Sequence, residues 1–189
     1  MLATTFYIAC LKLKGRRCLV VGGGRIALEK VHGLATCGAL VTVVAPEALP
    51  EVHALAVEWR EREYEIGDLE GHFVVIAATN IRSLNEQVSA DAEARGMLCN
   101  VVDQPDLCSF ILPAVHRNGP IAVAISTGGA SPALAQRMRD EVAERFDDRY
   151  VALARRLREL RPEAKERFAT YEERRDYFQR LVDEELGPR

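Results

Sequence analysis

The chain has 189 residues, 48% of them hydrophobic, and a formal net charge of −3. That length can build a core without disulfide or metal staples, and so mild a charge predicts neither a nucleic acid nor a membrane surface as partner. No apolar run approaches the roughly 18 residues of a membrane span. Tyr7-Ile8-Ala9-Cys10 faintly resembles a lipoprotein cleavage site, but nothing basic precedes it and the apolar stretch is short, so no signal peptide is expected. The five cysteines (Cys10, Cys18, Cys37, Cys99 and Cys108) are odd in number and form no C-x-x-C pair, which fits reduced thiols in the cytoplasm.

In chain order, Cys18 to Val21 is the first predicted strand, and Ile26 to Thr36 carries helix periodicity that ends at Gly38. Leu40 to Val44 is a second, β-branched strand, and Val57 to Glu61 alternates as a short third. Phe73 to Ala77 is a continuous apolar strand, as expected of a buried parallel position. A helix from Arg82 to Arg95 stops at Gly96, and Leu98 to Val102 is a fifth strand. This alternation predicts a Rossmann-like, doubly wound parallel sheet with right-handed crossovers.

After Asp103 the rhythm changes. Ser109 to Val115 and Ile121 to Ser126 are apolar runs joined around Arg117-Asn118-Gly119, which predicts a hairpin. Ser131 and Pro132 suit the N-cap and first position of an amphipathic helix. From Asp148 the chain reads as helical, broken at Pro162 and restarted by the capping box Thr170-x-x-Glu173. The expected division is therefore a dinucleotide-binding domain over 1–111, a hairpin-plus-helix element over 112–146 and a small helical domain over 147–189.

The chemistry-bearing strings begin with Gly22-Gly23-Gly24-Arg25-Ile26-Ala27, the G-x-G-x-x-A form of a dinucleotide fingerprint. Gly22 allows the turn off the strand, Gly24 lets a pyrophosphate touch bare backbone, and Ala27 lets the helix pack close to the sheet. A structural glycine turn could imitate the string, but its place at the first strand-to-helix junction favours NAD binding. Past the second strand, Val44-Ala45-Pro46-Glu47 carries no Lys or Arg from Thr42 through Trp59, which favours NAD over NADP. Two readings fit Glu47, a ribose ligand or a helix-start carboxylate. Arg25 could meet a phosphate, which keeps NADP as the minority option. Ala77-Ala78-Thr79-Asn80 is either small-residue lining for the cofactor or a turn capped by Asn80 or Ser83. Asp103 stands just past a central strand, where it could accept a proton beside the nicotinamide; the plainer reading is an Asp-x-Pro turn. Ser126 to Ser131 exposes consecutive amides before a helix, either an anion cradle or a flexible connector. His32, His53, His72 and His116 show no ligand spacing, so no metal site is expected.

Taken together, these strings resemble the siroheme-synthase dehydrogenase/chelatase family, the precorrin-2 dehydrogenases and sirohydrochlorin ferrochelatases. The resemblance rests on Val21 to Ala27, Val41 to Pro46, Ala77 to Thr79, Asn100 to Pro105, Cys108 to Ile111, Val123 to Pro132, Phe168 to Thr170 and Glu173 to Arg175, in order and nearly end to end. It implies NAD-dependent oxidation of precorrin-2 to sirohydrochlorin. In bifunctional members ferrous iron is then inserted, a lyase activity. It also implies a form without the methyltransferase of the larger fused relatives, and a homodimer joined through the element after the dinucleotide domain. Asp103 falls on the family's catalytic aspartate, and Thr127 falls in the loop where some relatives carry a phosphorylatable serine.

Oxidation sends a hydride to the nicotinamide and a proton to the protein, so one carboxylate near the cofactor is the minimum requirement. Chelation displaces pyrrole protons and leaves the metal on macrocycle nitrogens, which agrees with the lack of a His/Cys cluster. The substrate's many carboxylates call for cations or amides, and Arg117, Arg137, Thr127, Gly128 and Gly129 are the candidates. The rival readings are a dehydrogenase without chelatase activity and a non-catalytic NAD-binding regulatory module. The second gives no reason for the strings Asn100 to Pro105 and Ser126 to Pro132.

Overall fold

The structure, a computed structural model, describes residues 6–188. The chain forms two compact units, the first ending at Leu112 and the second beginning at Pro113.

The first unit is built on five strands: β1 (Arg17–Val21), β2 (Leu40–Val44), β3 (Glu58–Arg60), β4 (Val74–Ala77) and β5 (Leu98–Val101). All pairs are parallel and the order is β3-β2-β1-β4-β5. The three inner strands are apolar at nearly every position because both faces are covered. Helices α1 (Arg25–Thr36) and α2 (Pro50–Leu55) lie over Cys18, Val20, Val41, Val43, Val74 and Ile76. Helix α3 (Arg82–Glu93), with Tyr64 and Leu69, lies over Leu19, Val21, Val44, Val75 and Ala77. Chain direction across the sheet reverses between β1 and β4, so their carboxyl ends flank the crevice where open α/β sheets take ligands.

Every predicted strand of this sheet is present, with ends within a residue or two of expectation. Helix α2 was not among the predicted elements. It has six residues, a proline in its first turn and one buried side chain, Val52, which is too little for periodicity to register.

In the second unit, β6 (Ala114–Asn118) and β7 (Ile121–Ile125) form an antiparallel hairpin. The predicted hairpin is formed, its turn falls at the C-terminal end of the expected Arg117-Asn118-Gly119 stretch, and only the start of the first strand, expected from Ser109, is corrected. Asn118 pairs with Ile121, so Gly119 and Pro120 alone make the turn. Gly119 supplies the left-handed φ of +55°, and Asn118 turns its amide to donate to Phe146 O at 3.2 Å. Residues 109–113 are not a strand, for a reason given below.

Helix α4 (Pro132–Ala143) packs on this hairpin and starts as expected, with Ser131 Oγ accepting from the Leu134 amide at 3.2 Å. Helices α5 (Asp148–Glu159), α6 (Arg161–Arg167) and α7 (Tyr171–Leu186) follow. The Thr170/Glu173 capping box is formed in both directions, and Pro162 lies in the first turn of α6. Within this unit the buried apolar residues among the described residues are Ala135, Val151, Leu153 and Ala164.

Candidate active site

The glycine turn divides its three residues between folding and ligand access. Gly22, at φ +121°, donates its amide to Val44 O at 2.9 Å, and a Cβ there would strike the Ala78 carbonyl. At Gly23 a Cβ would strike the backbone of Glu47 and Ala48, so this position too belongs to chain packing; the sequence pattern had given it no role. Around Gly24 there is nothing within 4 Å of such an atom. Gly24 is also the N-cap of α1, so no side chain caps the helix, and the first turn holds no acidic residue. The opening amides and the positive end of the dipole are left facing an open space, which is what a pyrophosphate requires. The first-turn side chains Arg25 and Ile26 are exposed. A cation at that end opposes the helix dipole unless an anion joins it.

Along the carboxyl edge, the last paired residues are Val21, Val44, Ala77 and Val101, and Gly22, Ala45, Ala78 and Val102 follow them directly. Trp59 Nε1 donates to Ala45 O at 3.0 Å and fixes the end of β2. Pro46 and Glu47 follow, exposed. The N-cap of α2 is Leu49 and its first-turn acid is Glu51, which removes the helix-start reading of Glu47. Thr79 Oγ1 donates to Asn85 Oδ1 at 2.7 Å, while Asn85 Nδ2 donates to Thr79 O at 3.0 Å. The N-cap of α3 is Ile81 with no side-chain cap, so neither Asn80 nor Ser83 serves there.

Arg60 is a cation that linear spacing placed outside the β2 window, yet in the sheet it pairs with Val44. Its guanidinium is held by Glu58 (2.9 Å) and Asp68 (2.6 Å), and Arg62 also binds Asp68 (2.6 Å). Burial alone would raise the Asp68 pKa, but hydrogen bonds from Arg62, the Glu65 amide and Arg60 outweigh it and hold it down at about 2. A depressed carboxyl adds stability that is complete above its unfolded pKa near 4 and is lost as pH falls through about 2. Asp68→Asn should therefore destabilise the protein at pH 7 by about 1–2 kcal/mol, after discounting for the solvent around Arg62. Urea melts should show that gap closing between pH 4 and pH 2; a gap independent of pH would contradict the charge argument.

Asp103 follows β5 in a left-handed conformation, φ +59°, the one non-glycine residue with positive φ among the described residues. Its side chain is exposed and enters no hydrogen bond or ion pair there. The plain turn reading accounts for the backbone and not for the carboxylate. An Asx turn would bond the amide two residues on, and Pro105 has none. Such strain at an unoccupied carboxylate is the pattern of a functional position.

The segment after Asp103 forms a 3-10 turn (Pro105–Leu107) and then lies along the outer edge of β5, which is why residues 109–113 form no strand. Ser109 exchanges bonds with Cys99, and Asn100 Nδ2 donates to Phe110 O at 3.0 Å. Cys108 Sγ accepts from the Val101 amide at 3.1 Å and lies 3.2 and 3.3 Å from the carbonyls of Val101 and Gln104. Burial pushes its pKa up, which keeps it a thiol. A pocket of about 390 Å³ beside this strap, lined by Ser89, Glu93, Met97 and Leu107 among others, shares no residue with the glycine turn.

On the second unit, Arg117 is exposed on β6 and Arg137 is paired with Glu141 at 2.9 Å. The loop expected as an amide cradle is largely bonded to itself. Gly128 N–H goes to Ser126 Oγ, Ala130 N–H to Thr127 O and Ser131 N–H to Thr127 Oγ1, whose hydroxyl donates to Ser131 O. Among the described residues no group of three or more His, Cys, Asp or Glu is placed to hold a metal ion, and no helix is long and apolar enough to cross a membrane.

Residues 9–114 match the family described as putative NAD(P)-binding, and residues 118–145 match the sirohaem biosynthesis protein central family. The siroheme synthase of Methylobacillus flagellatus is 41% identical over 184 residues, covering 93% of this chain and 39% of that protein. That of Thioalkalivibrio sulfidiphilus is 42% identical over 182 residues, covering 94% and 37%. The chain thus spans about two fifths of the length of these curated relatives. Among solved structures, SirC, precorrin-2 dehydrogenase, superposes with a TM-score of 0.80 at 28% identity, covering 96% of this chain and 92% of that one.

Proposed function

This chain belongs to the siroheme-synthase family through its NAD(P)-binding domain and the central element that follows, and from that premise we propose that it oxidises precorrin-2 to sirohydrochlorin with NAD. The observation that carries the reading is one sheet edge holding both parts of such a site. An open, uncapped helix start stands at β1, and an unpartnered carboxylate stands two strands away at β5. At the usual strand spacing that is about 10 Å, within the reach of a dinucleotide laid across the crevice.

The pyrophosphate is assigned to the backbone at Gly22 and Gly24 and to the amides and side chains of Arg25 and Ile26. Pro46, Glu47 and Thr79 border the adenosine half. Glu47 is open to accept from a ribose, whereas Arg60 and Arg62 are committed to Asp68, which favours NAD over NADP. Bound NAD supplies the hydride acceptor. Asp103 takes the proton that leaves the macrocycle, since its lone pairs are not used by the protein. The second unit's Arg117, Arg137 and the loop Thr127-Gly128-Gly129 are assigned to substrate carboxylates. Within that loop the amides of Thr127 and Gly129 remain available. In a bifunctional enzyme Asp103 would also accept pyrrole protons as ferrous iron enters, and the macrocycle nitrogens would hold the metal. The reading places the protein in the cytoplasm, which its five free thiols fit.

Anaerobic incubation with precorrin-2 and NAD, followed by ferrous iron, tests this through the absorbance of each product. Sirohydrochlorin with NAD is the expected result. Its formation without siroheme leaves a dehydrogenase alone, and no oxidation would overturn the reading in favour of a regulatory NAD-binding module.

The proposal includes a homodimer joined through residues 112–146. The hairpin is covered chiefly by α4, buries few side chains, and comes with Leu134 (50% exposed) and Met138 (42%) one turn apart on that helix. Full burial of each is worth roughly 1.5–3 kcal/mol, so Leu134→Asp with Met138→Asp should weaken association about a hundredfold or more. Sedimentation should report the shift; a wild-type chain that stays monomeric at micromolar concentration would remove the dimer.

A further inference from the structure

We propose that Cys108 is a positioning residue for Asp103, its sulfur serving as the post around which the active turn is wrapped; the inference rests on the reading of Asp103 given above. The turn leaves β5 at Val101 and returns at Cys108. One sulfur atom touches both ends of the tight part, accepting from Val101 N–H at 3.1 Å and lying 3.2 Å from Val101 O and 3.3 Å from Gln104 O. Asp103 stands between those two residues in the left-handed region, a conformation its own side chain does nothing to hold. Strain of that kind persists only where the surroundings over-determine it. Here the surroundings are the sulfur, the Asn100 bond to Phe110 O and the Ser109 bonds to Cys99.

A thiol suits the place for size as much as for polarity. Sulfur makes its bonds at longer range than oxygen and can sit centrally among three backbone groups, donating to one carbonyl while accepting from the amide. Its raised pKa keeps the S–H that the carbonyls need.

The test is a double-mutant cycle on the full chain. Cys108→Ala should lower kcat for precorrin-2 oxidation by about ten- to a hundredfold, as a displacement near 1 Å of a reacting group does, with NAD affinity unchanged. Cys108→Ser, which keeps a donor and an acceptor, should recover part of the loss. In an Asp103→Asn background Cys108→Ala should change the rate little, because the group it positions is already gone. Wild-type turnover in a folded Cys108→Ala, or losses that multiply in the double variant, would overturn the inference while leaving Asp103 in place. Should the alanine variant not fold, a serine variant whose loss persists undiminished on the asparagine background decides against it equally. Wild-type oxidation by Asp103→Asn would instead remove the reading of Asp103 itself, and the inference with it.

Discussion

Asp103→Asn should lose most precorrin-2 oxidation, about a hundred- to ten-thousand-fold, while keeping NAD affinity and assembly. Asparagine is the informative replacement because it tolerates the left-handed backbone at least as well as aspartate, so the φ of +59° survives and only the proton acceptor is lost. The side chain makes no bond within the described chain, so no structural partner is orphaned by the change. If iron insertion is present, it should weaken in the same variant. Oxidation at the wild-type rate would return Asp103 to the role of a turn residue. Normal oxidation with failed chelation would confine it to iron insertion.

Gly24→Val is the second large effect, and it separates binding from folding. The space around Gly24 is empty to 4 Å and its backbone is extended, so valine fits the protein while filling the room a pyrophosphate would use. NAD affinity should fall at least about a hundredfold, since the amide contacts and the close approach go together. Thermal unfolding should move little. Gly23→Val should do the reverse and fail to fold, because its Cβ meets the backbone of Glu47 and Ala48. Unchanged NAD affinity in a folded Gly24→Val protein would place the cofactor elsewhere, and tighter binding of NADP than NAD would undo the argument from Glu47.

Runs such as Leu40 to Val44 and Val74 to Ala77 were legible in the sequence because a doubly covered strand must be apolar at consecutive positions. The Ser131 cap and the Thr170 box were legible because each is a local bond between a side chain and a nearby amide, and the glycine turn because missing side chains in a fixed spacing mark it. What escaped depends on neighbours distant in sequence. Arg60 stands beside Val44 through a sheet register, and its charge is consumed by Asp68. Gly23 is constrained by the loop after β2, and Cys108 by a strand it follows. Asn118 looked like a turn residue, yet its strand pairing passes the turn to Gly119 and Pro120. Spacing carries periodicity and caps, but it does not carry which strand lies next to which.

The strap along β5 has a consequence for solubility. An edge strand with open amides is a template on which another chain can add, the first step toward fibrils. Here Ser109 and Cys108 occupy the amides of Cys99 and Val101, so that border of the sheet offers no free ladder. At the opposite border β3 is three residues long and bears Glu58 and Arg60, too short and too charged to recruit a stranger. The first unit is thus sealed against growth by strand addition at both ends. A strap opened by loss of Cys108 should therefore betray itself on storage, as a slow rise in turbidity, as well as in the assay.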